Sequence, residues 1–263
     1  MNGVSIYVEE HGSGKPILLL HGWPDSHYVW RNQVPFLVAN GFRVITPDLR
    51  GFGSSDRPNG VGAYSLQNAV SDALGVLDAY GVGIADIVGH DWGAAVAWLT
   101  AALHPDRVRK LVVLSVPHPL SPLTVRQREM AWYQLFFQFD GVAEAWLQQD
   151  DWTLLRQLLR NNGDLDRYVA DLSREDALTA SLNWYRANLA PRPPGPRPSL
   201  PLVQAPTLGI WSTNDHYLDG ERMRMSQRFV KGPWRYEQIE GVSHWIPLDA
   251  PGRLNQLLVE WLL

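Results

Sequence analysis

One aspartate lies where the sequence pattern presents a reactive side chain. Residues 88–94 read Val-Gly-His-Asp-Trp-Gly-Ala, so that Asp91 stands between two nearby glycines. When a strand runs into Gly-x-X-x-Gly and then into a helix, the chain turns sharply and pushes the central side chain out above the sheet. The first N–H groups of the helix stabilise an anion at that point. Asp91 is therefore either a nucleophilic carboxylate or a helix cap, a common role of aspartate at a helix start.

Three other loops carry groups that an attacking carboxylate requires. Residues 21–24, His-Gly-Trp-Pro, follow the first clear strand and can supply a backbone N–H to an oxyanion, in a turn that suits a cis proline. His244 lies in a late loop that also follows a strand, and Asp215 comes after an intermediate strand. We therefore predict that Asp91 is the nucleophile, that His244 activates water and that Asp215 orients His244.

The elements that position these residues alternate between strands and helices. Apolar runs that stop at turn residues predict buried strands at 17–20, 42–46, 85–88, 110–115, 206–211 and 236–239. Apolar residues at helical spacing predict a helix from about Leu66 to Tyr80, and a second helix over 94–103. This alternation predicts the α/β class, with a mostly parallel, doubly wound sheet.

The alternation stops in the middle of the chain. The pattern over 119–190 is helical with many aromatic residues, and it is followed by a proline-rich stretch that predicts an extended connector over 191–205. The sequence therefore predicts an α/β core formed by 1–118 and 206–263, interrupted by a helical insertion.

Composition excludes several classes of protein. The 263 residues are 45% hydrophobic and 19% charged, which is an ordinary globular balance. A net charge of −4 offers no basic surface, so nucleic acid is not expected as a partner. The chain has no cysteine for disulfides or thiolate metal sites, and we expect neither a metal nor a cofactor. No signal peptide or membrane-spanning run is evident, so we expect no membrane partner and a cytoplasmic location.

Nucleophile, acid and histidine follow one another in the order of the α/β-hydrolase fold. Nearly the whole chain resembles that superfamily, and three motifs resemble its epoxide hydrolase branch. They are His-Gly-Trp-Pro-Asp-Ser at 21–26, Asp-Leu-Arg-Gly-Phe-Gly-Ser-Ser at 48–55 and Gly-His-Asp-Trp-Gly at 89–93. Haloalkane dehalogenases share the aspartate nucleophile. Because the chain starts so close to residues 4–7, the presence of the family's first edge strand is left open.

Two motifs in the helical insertion resemble those of epoxide hydrolases. Trp-Tyr-Gln-Leu-Phe-Phe-Gln at 132–138 contains Tyr133, and Leu-Asn-Trp-Tyr-Arg at 182–186 contains Tyr185. An epoxide oxygen leaves as an alkoxide and needs an acidic donor, whereas weak N–H donors can hold a departing halide. Either tyrosine alone would more often be a packed aromatic residue. Both together favour opening of an epoxide ring inside a cap.

The resemblance implies an α/β-hydrolase fold with an inserted helical cap. It also implies hydrolysis of a small apolar epoxide by water, through an alkyl ester on Asp91. The backbone N–H groups of Trp23 and Trp92 would hold the oxyanion of the second step. Aromatic residues in or next to the motifs are expected to line an apolar pocket, although packing in the core would account for most of them: Trp132, Phe136, Phe137, Trp184 and Trp245.

Three alternatives remain open at this point. In a haloalkane dehalogenase, Trp92 would bind halide and the two tyrosines would be incidental. A ligand receptor that keeps the fold would not need the water-activating pair of Asp215 and His244. A serine esterase is the weakest alternative, because neither neighbour of Asp91 carries a hydroxyl. The oligomeric state is not predicted.

Overall fold

A twisted sheet of seven strands forms the centre of the computed structural model, which describes residues 3–160, 164–191, 195 and 199–263. The strands are β1 (Val8–Gly12), β2 (Lys15–Leu20), β3 (Phe42–Pro47), β4 (Ala85–His90), β5 (Val108–Leu114), β6 (Thr207–Ser212) and β7 (Trp234–Ile239). Their order is β1-β3-β2-β4-β5-β6-β7. Only β1 runs antiparallel to its neighbour. The predicted mostly parallel α/β sheet is confirmed.

Each predicted strand is present, with boundaries that differ from the prediction by at most two residues. The antiparallel edge strand β1 was not predicted. Its residues Val-Glu-Glu-His-Gly are half-buried or exposed, so they carry neither an apolar run nor a clear alternation.

The described residues also form eleven α-helices. They are α1 (Val34–Ala39), α2 (Leu66–Ala79), α3 (Trp92–Leu103), α4 (Val125–Met130), α5 (Trp132–Phe136), α6 (Val142–Leu158), α7 (Leu165–Leu172), α8 (Ala177–Leu189), α9 (Gly220–Met225), α10 (Ile246–Asp249) and α11 (Pro251–Leu262). Within α6 the backbone leaves the helical conformation at 149–152. Short 3-10 helices lie at His27–Trp30, Val61–Tyr64, Pro105–Arg107 and Ser226–Phe229.

Helices cover both faces of the sheet. Along β2, Ile17 and Leu19 join the apolar cluster that contains α1 and α11, whereas Leu18 and Leu20 join the cluster that contains α2 and α3. Successive side chains of a strand point to opposite faces, so a central parallel strand must be apolar at every position. This explains why β2 appears in the sequence as an uninterrupted apolar run.

The helices α4 to α8 lie between β5 and β6 in the chain, within the predicted insertion. Side chains of α8 hold the insertion against the core. The Trp184 indole N–H donates to the Arg50 carbonyl at 3.0 Å, and Asn188 exchanges hydrogen bonds with the backbone of Tyr64 and Leu66. The proline-rich connector lies partly outside the described residues.

One buried ion pair supports the loop that receives Trp184. The Arg50 guanidinium donates Nε and Nη2 to the two carboxylate oxygens of Asp72 on α2, at 2.6 and 2.7 Å, and both residues are almost fully buried. Paired, planar hydrogen bonds of this kind fix orientation as well as charge. The contact fixes Arg50, and its carbonyl with it, at the junction between core and insertion.

We predict that Asp72→Ala lowers the free energy of unfolding by about 3–5 kcal/mol, because it leaves the buried Arg50 charge without a partner. Asp78→Ala is a matched control on the same helix, since Asp78 pairs with Arg107 but its side chain is 66% exposed. The control should cost less than about 1 kcal/mol. Urea denaturation measures both variants, and equal losses would contradict the assignment.

Candidate active site

A strained turn between β4 and α3 presents Asp91. Its φ is 49°, in the left-handed region that non-glycine residues seldom occupy. A Cβ atom on Gly89 would lie 2.4 Å from the Gly93 carbonyl oxygen, and one on Gly93 would lie 2.1 Å from the carbonyl oxygen of Leu20. The backbone approaches too closely at both positions for any side chain. The turn therefore requires the two glycines that the sequence shows.

The Asp91 carboxylate points away from its helix. It makes no side-chain capping hydrogen bond to α3, and its side chain is 16% exposed. Its Oδ1 atom accepts a hydrogen bond from the backbone N–H of Trp23 at 2.7 Å. A Cβ atom on Gly22 would lie 2.4 Å from that oxygen, and the Trp23–Pro24 peptide bond is cis, as the motif suggested. Asp91 therefore occupies the N-cap position of α3, but its side chain does not cap the helix.

Two loops at the carboxyl edge of the sheet complete a chain of charged groups. Nε2 of His244 lies 3.5 Å from Oδ2 of Asp91, and Nδ1 of His244 lies 2.7 Å from Oδ2 of Asp215. The other Asp215 oxygen accepts hydrogen bonds from the backbone N–H groups of Tyr217 and Leu218. Nδ1 therefore donates to Asp215, and Nε2 faces Asp91. The structure therefore brings the three predicted residues together, with His244 between Asp91 and Asp215, as predicted.

The neighbouring charges shift the ionisation of His244 and Asp91. Burial opposes a charge on His244, but the negative charges of Asp215 and Asp91 outweigh it and raise the pKa of His244 to about 10. Burial also opposes a charge on Asp91, but the contact with His244 and the N–H of Trp23 hold the pKa of Asp91 below its usual value. At neutral pH the site therefore holds an imidazolium between two carboxylates.

Two further histidines stabilise the loops. Nε2 of His21 accepts the backbone N–H of Leu49 at 2.9 Å, so Nδ1 carries the proton and donates it to the Gly22 carbonyl at 2.9 Å. Nε2 of His90 lies 2.9 Å from the His244 carbonyl oxygen and donates to it. Burial lowers the pKa of both rings to about 4, so they are neutral supports for the residues that contact Asp91.

Two tyrosines from the insertion face the same space. The rings of Tyr133 on α5 and Tyr185 on α8 meet edge to face, with centroids 5.9 Å apart, and both residues are buried. Burial, and then the charge of Asp91, raises the pKa of both hydroxyls, which therefore remain protonated. The Tyr133 oxygen accepts a hydrogen bond from Nε2 of Gln134 at 3.2 Å, which leaves its own proton available.

Two spaces border Asp91, Tyr133 and Tyr185. The larger is a cavity of about 550 Å³, within the range of small-molecule sites. The smaller, about 10 Å³, is also lined by His244 and Trp245, and its volume is close to that of one water molecule. We refer to them as the large cavity and the water-sized space. The Asp91 carboxylate thus borders both a space large enough for an organic molecule and a water-sized space that His244 also lines.

Of the five predicted pocket residues, the structure places one in the lining of these two spaces. Trp245 lines the water-sized space, but Trp132, Phe136, Phe137 and Trp184 line neither space. Trp132 is 52% exposed, whereas Phe137 and Trp184 are fully buried behind Tyr185 and Trp92. Successive residues of a helix point about 100° apart, so the helical position that precedes each tyrosine, Trp132 or Trp184, points in another direction, whereas Gln134 on the other side of Tyr133 does line the large cavity.

Much of the apolar wall of the large cavity comes from positions outside the quoted motifs, although Trp92 and Leu135 lie within them. The members outside the motifs include Ala95, Val116, Pro117, Leu123 and Leu218. Tyr217 lines the water-sized space and donates its hydroxyl to the Leu158 carbonyl. Its place two residues after Asp215 is the one sequence signal that could have identified it.

Within the described residues, no group of three or more His, Cys, Asp or Glu side chains is arranged so that it could hold a metal ion. None of the described helices is both long enough and apolar enough to cross a membrane.

Comparisons with known proteins agree with this geometry. Residues 15–251 match the family model of the alpha/beta hydrolase fold. The chain is 34% identical over 276 residues to the AB hydrolase superfamily protein YfhM of Bacillus subtilis (strain 168). It is 33% identical over 315 residues to Epoxide hydrolase A of Mycobacterium tuberculosis. Both matches cover 99% of this chain and 95% of the relative.

A solved structure is also similar. It is described as one of several novel epoxide hydrolases of the alpha/beta hydrolases superfamily from metagenomes of hot environments. It superimposes with a TM-score of 0.89 at 28% sequence identity, covering 100% of this chain and 96% of the other. The family model, the sheet order and the aspartate turn lead to one conclusion: the chain belongs to the α/β-hydrolase superfamily, in the branch that contains the epoxide hydrolases.

Proposed function

We propose that this protein hydrolyses an epoxide to a vicinal diol through a covalent ester on Asp91. One observation carries the proposal. The Asp91 carboxylate, with His244 behind it, borders the same cavity as the buried, protonated hydroxyls of Tyr133 and Tyr185. A nucleophile therefore faces two proton donors across a space large enough for an organic substrate. The names of the relatives support the same reaction.

Ring opening is the first step. Oδ2 of Asp91 attacks a ring carbon while the C–O bond breaks, and the ring oxygen takes a proton from Tyr133 or Tyr185. A three-membered ether has no carbonyl for a serine to attack, which is why the ester must be made on a carboxylate of the enzyme. Oδ1, which accepts the Trp23 N–H, becomes the carbonyl oxygen of that ester.

Ester formation changes the charge on His244. The Asp91 carboxylate loses its negative charge, so one of the two anions that raise the pKa of His244 to about 10 disappears. The imidazolium then releases its proton, which restores the tyrosine hydroxyl. His244 is left neutral, and in this form it can act as a base.

Ester hydrolysis is the second step. Neutral His244 takes a proton from water in the water-sized space, and the hydroxide attacks the Asp91 carbonyl. The oxyanion develops on Oδ1, beside the Trp23 N–H and the predicted N–H of Trp92. Release of the diol regenerates the Asp91 carboxylate and the imidazolium, so protons and charge balance over the cycle.

The division of the chain follows from this mechanism. We propose that 119–190 acts as a cap that supplies the two proton donors, that 191–205 connects it to the second part of the core, and that 1–118 and 206–263 form the hydrolase core. The cytoplasmic location stays a prediction from the sequence.

The alternative function is that of a haloalkane dehalogenase. It is favoured by Trp92, which directly follows Asp91 and lines the large cavity. A halide would then be held by N–H donors, and the tyrosine protons would be unnecessary. A non-catalytic receptor is less well supported, because it has no need of an imidazolium between Asp91 and Asp215.

We predict that the protein converts styrene oxide to its diol and releases no bromide from a bromoalkane. Chromatography of the diol and ion chromatography of bromide, run on the same enzyme sample, measure the two reactions. Asp91→Asn should abolish diol formation, because an amide is a poor nucleophile. Bromide without diol would replace the proposal with the dehalogenase alternative.

His244→Gln should stop the reaction after ring opening, because the base acts only in the second step. Intact-protein mass spectrometry should show an adduct with the mass of the whole epoxide, located on the peptide that contains Asp91. His216→Gln is the matched control, since His216 is exposed and lies next to Asp215 in sequence; it should turn over without an adduct. Near-normal turnover in His244→Gln would show that another group activates water.

Tyr133→Phe or Tyr185→Phe should each slow ring opening on the order of 30-fold to 1000-fold, since one donor to the alkoxide remains; the loss corresponds to about 2–4 kcal/mol. The double variant should lose nearly all epoxide activity. Tyr64→Phe is the control, because it removes a buried hydroxyl that donates to the Pro58 carbonyl away from the cavity. Stopped-flow measurement of ester formation tests the set, and normal ring opening in the double variant would reject the donor assignment.

A further inference from the structure

The polar side chains of the large cavity are not equally available to a ligand. Asn188 donates to two backbone carbonyls and accepts a backbone N–H, so its amide is fully used. Gln127 donates to the Tyr217 carbonyl and accepts a backbone N–H. The Ser121 hydroxyl pairs with that of Ser226. These residues maintain the wall rather than offer binding groups.

Arg222 differs from them because it carries an uncompensated charge. Its Nε and one Nη2 proton donate to the carbonyls of Pro122 and Ser121, both at 3.1 Å, which fixes the half-buried guanidinium. Among the described residues no carboxylate lies at ion-pair distance from it. Burial lowers the pKa of Arg222 despite the nearby charge of Asp219. At least two guanidinium N–H groups remain free in the cavity wall.

Arg128 is a second cation in the wall of the same cavity, and it is exposed. It lies on α4, whereas Arg222 lies on α9. These short helices are joined, because Thr124 donates its hydroxyl to the Asp219 carboxylate at 2.6 Å, just before each helix begins. In the described part of the chain, no ion pair neutralises Arg128 either. Two cations therefore line one cavity without counter-ions.

The Asp219 carboxylate forms no ion pair with Arg222 or Arg128. One of its oxygens accepts the Thr124 hydroxyl and the other accepts the backbone N–H of Glu221. A half-buried guanidinium that donates only to backbone carbonyls keeps N–H groups that an anionic ligand can accept. Arginine is also the side chain best suited to pair with a carboxylate or a phosphate through two parallel hydrogen bonds.

We propose that Arg222 and Arg128 form an anion subsite of the large cavity, and that the preferred substrate is an epoxide with an acidic group at the end remote from its ring. The ring lies at Asp91, Tyr133 and Tyr185. The intervening chain contacts the apolar wall that includes Val116, Pro117 and Leu218. The acidic group reaches the two arginines. This assignment rests on the proposed epoxide hydrolysis and adds the substrate class.

The test compares matched substrates on the intact protein. They are a medium-length carboxylic acid with a terminal epoxide, its methyl ester, and the corresponding epoxyalkyl phosphate. The ratio of kcat/KM for the acid to that for the ester reports binding at the anion subsite. A loss of activity that affects both substrates equally leaves this ratio unchanged. A charge-assisted pair should make this ratio on the order of 10 to 100 in the wild-type protein. The phosphate arm shows which acidic group is preferred, and the ratio should fall as salt rises.

The matched variants remove one cation at a time. Arg222→Gln should bring the acid-to-ester ratio close to one through a higher KM for the acid, and Arg222→Lys should keep part of the preference. Arg128→Gln should lower the ratio by a smaller factor, since Arg128 is exposed and less fixed. Arg224→Gln on α9 and Arg126→Gln on α4 are controls that do not line the cavity, and both should keep the wild-type ratio.

A wild-type ratio near one, with both the acid and the ester hydrolysed, would overturn the subsite and leave the proposed function intact. The absence of turnover with every epoxide would overturn the proposed function instead. Calorimetric titration with the saturated acid of equal length would then decide the subsite, through weaker binding to Arg222→Gln. If Arg222→Gln does not fold, Arg128→Gln and Arg222→Lys carry the test, and unchanged ratios in both would reject the subsite.

Discussion

The site depends on keeping a largely enclosed carboxylate ionised at Asp91. Burial alone would favour the neutral acid, which is a poor nucleophile. The His244 imidazolium and the Trp23 N–H supply the opposing interactions, and both require backbone positions that the fold fixes closely. The glycines at 89 and 93 let the strand, the turn and the neighbouring strand approach to within van der Waals contact. The ionised state of Asp91 therefore depends on how closely the backbone packs at this edge of the sheet.

The same charge connects the two proposed steps. While Asp91 is ionised, His244 holds its proton and cannot act as a base. In the proposed cycle, esterification of Asp91 removes that restraint, so that His244 becomes a base only when there is an ester to hydrolyse. The hydrogen bond between Nδ1 and Asp215 holds the ring in position. On this proposal, one pair of charges determines both the reactivity of the nucleophile and the timing of the base.

The proposed proton donors, Tyr133 and Tyr185, come from a different part of the chain, so their placement depends on how the insertion is held. Besides Trp184, Arg186 pairs with Glu144 through two hydrogen bonds of 2.8 and 2.9 Å, which ties α8 to α6. The Trp23 indole N–H also donates to the Ser181 hydroxyl at 3.1 Å. These contacts join residues far apart in sequence. They fix Tyr185 on the same helix over the nucleophile.

The sequence by itself determined the mostly parallel sheet and the aspartate turn, and it indicated the candidate residues Asp91, Asp215, His244, Tyr133 and Tyr185, which the structure places close together. Apolar runs, glycine spacing and motif order are properties of the sequence itself, so they can be read from it directly. Only the tertiary structure decided which side chains line the cavity, that none of the described carboxylates lies at ion-pair distance from Arg222, and that the edge strand β1 exists. These features depend on the direction of side chains and on contacts between distant segments. They cannot be predicted from a short stretch of sequence, because the burial of a side chain and its ion-pair partners depend on the packing of the whole chain.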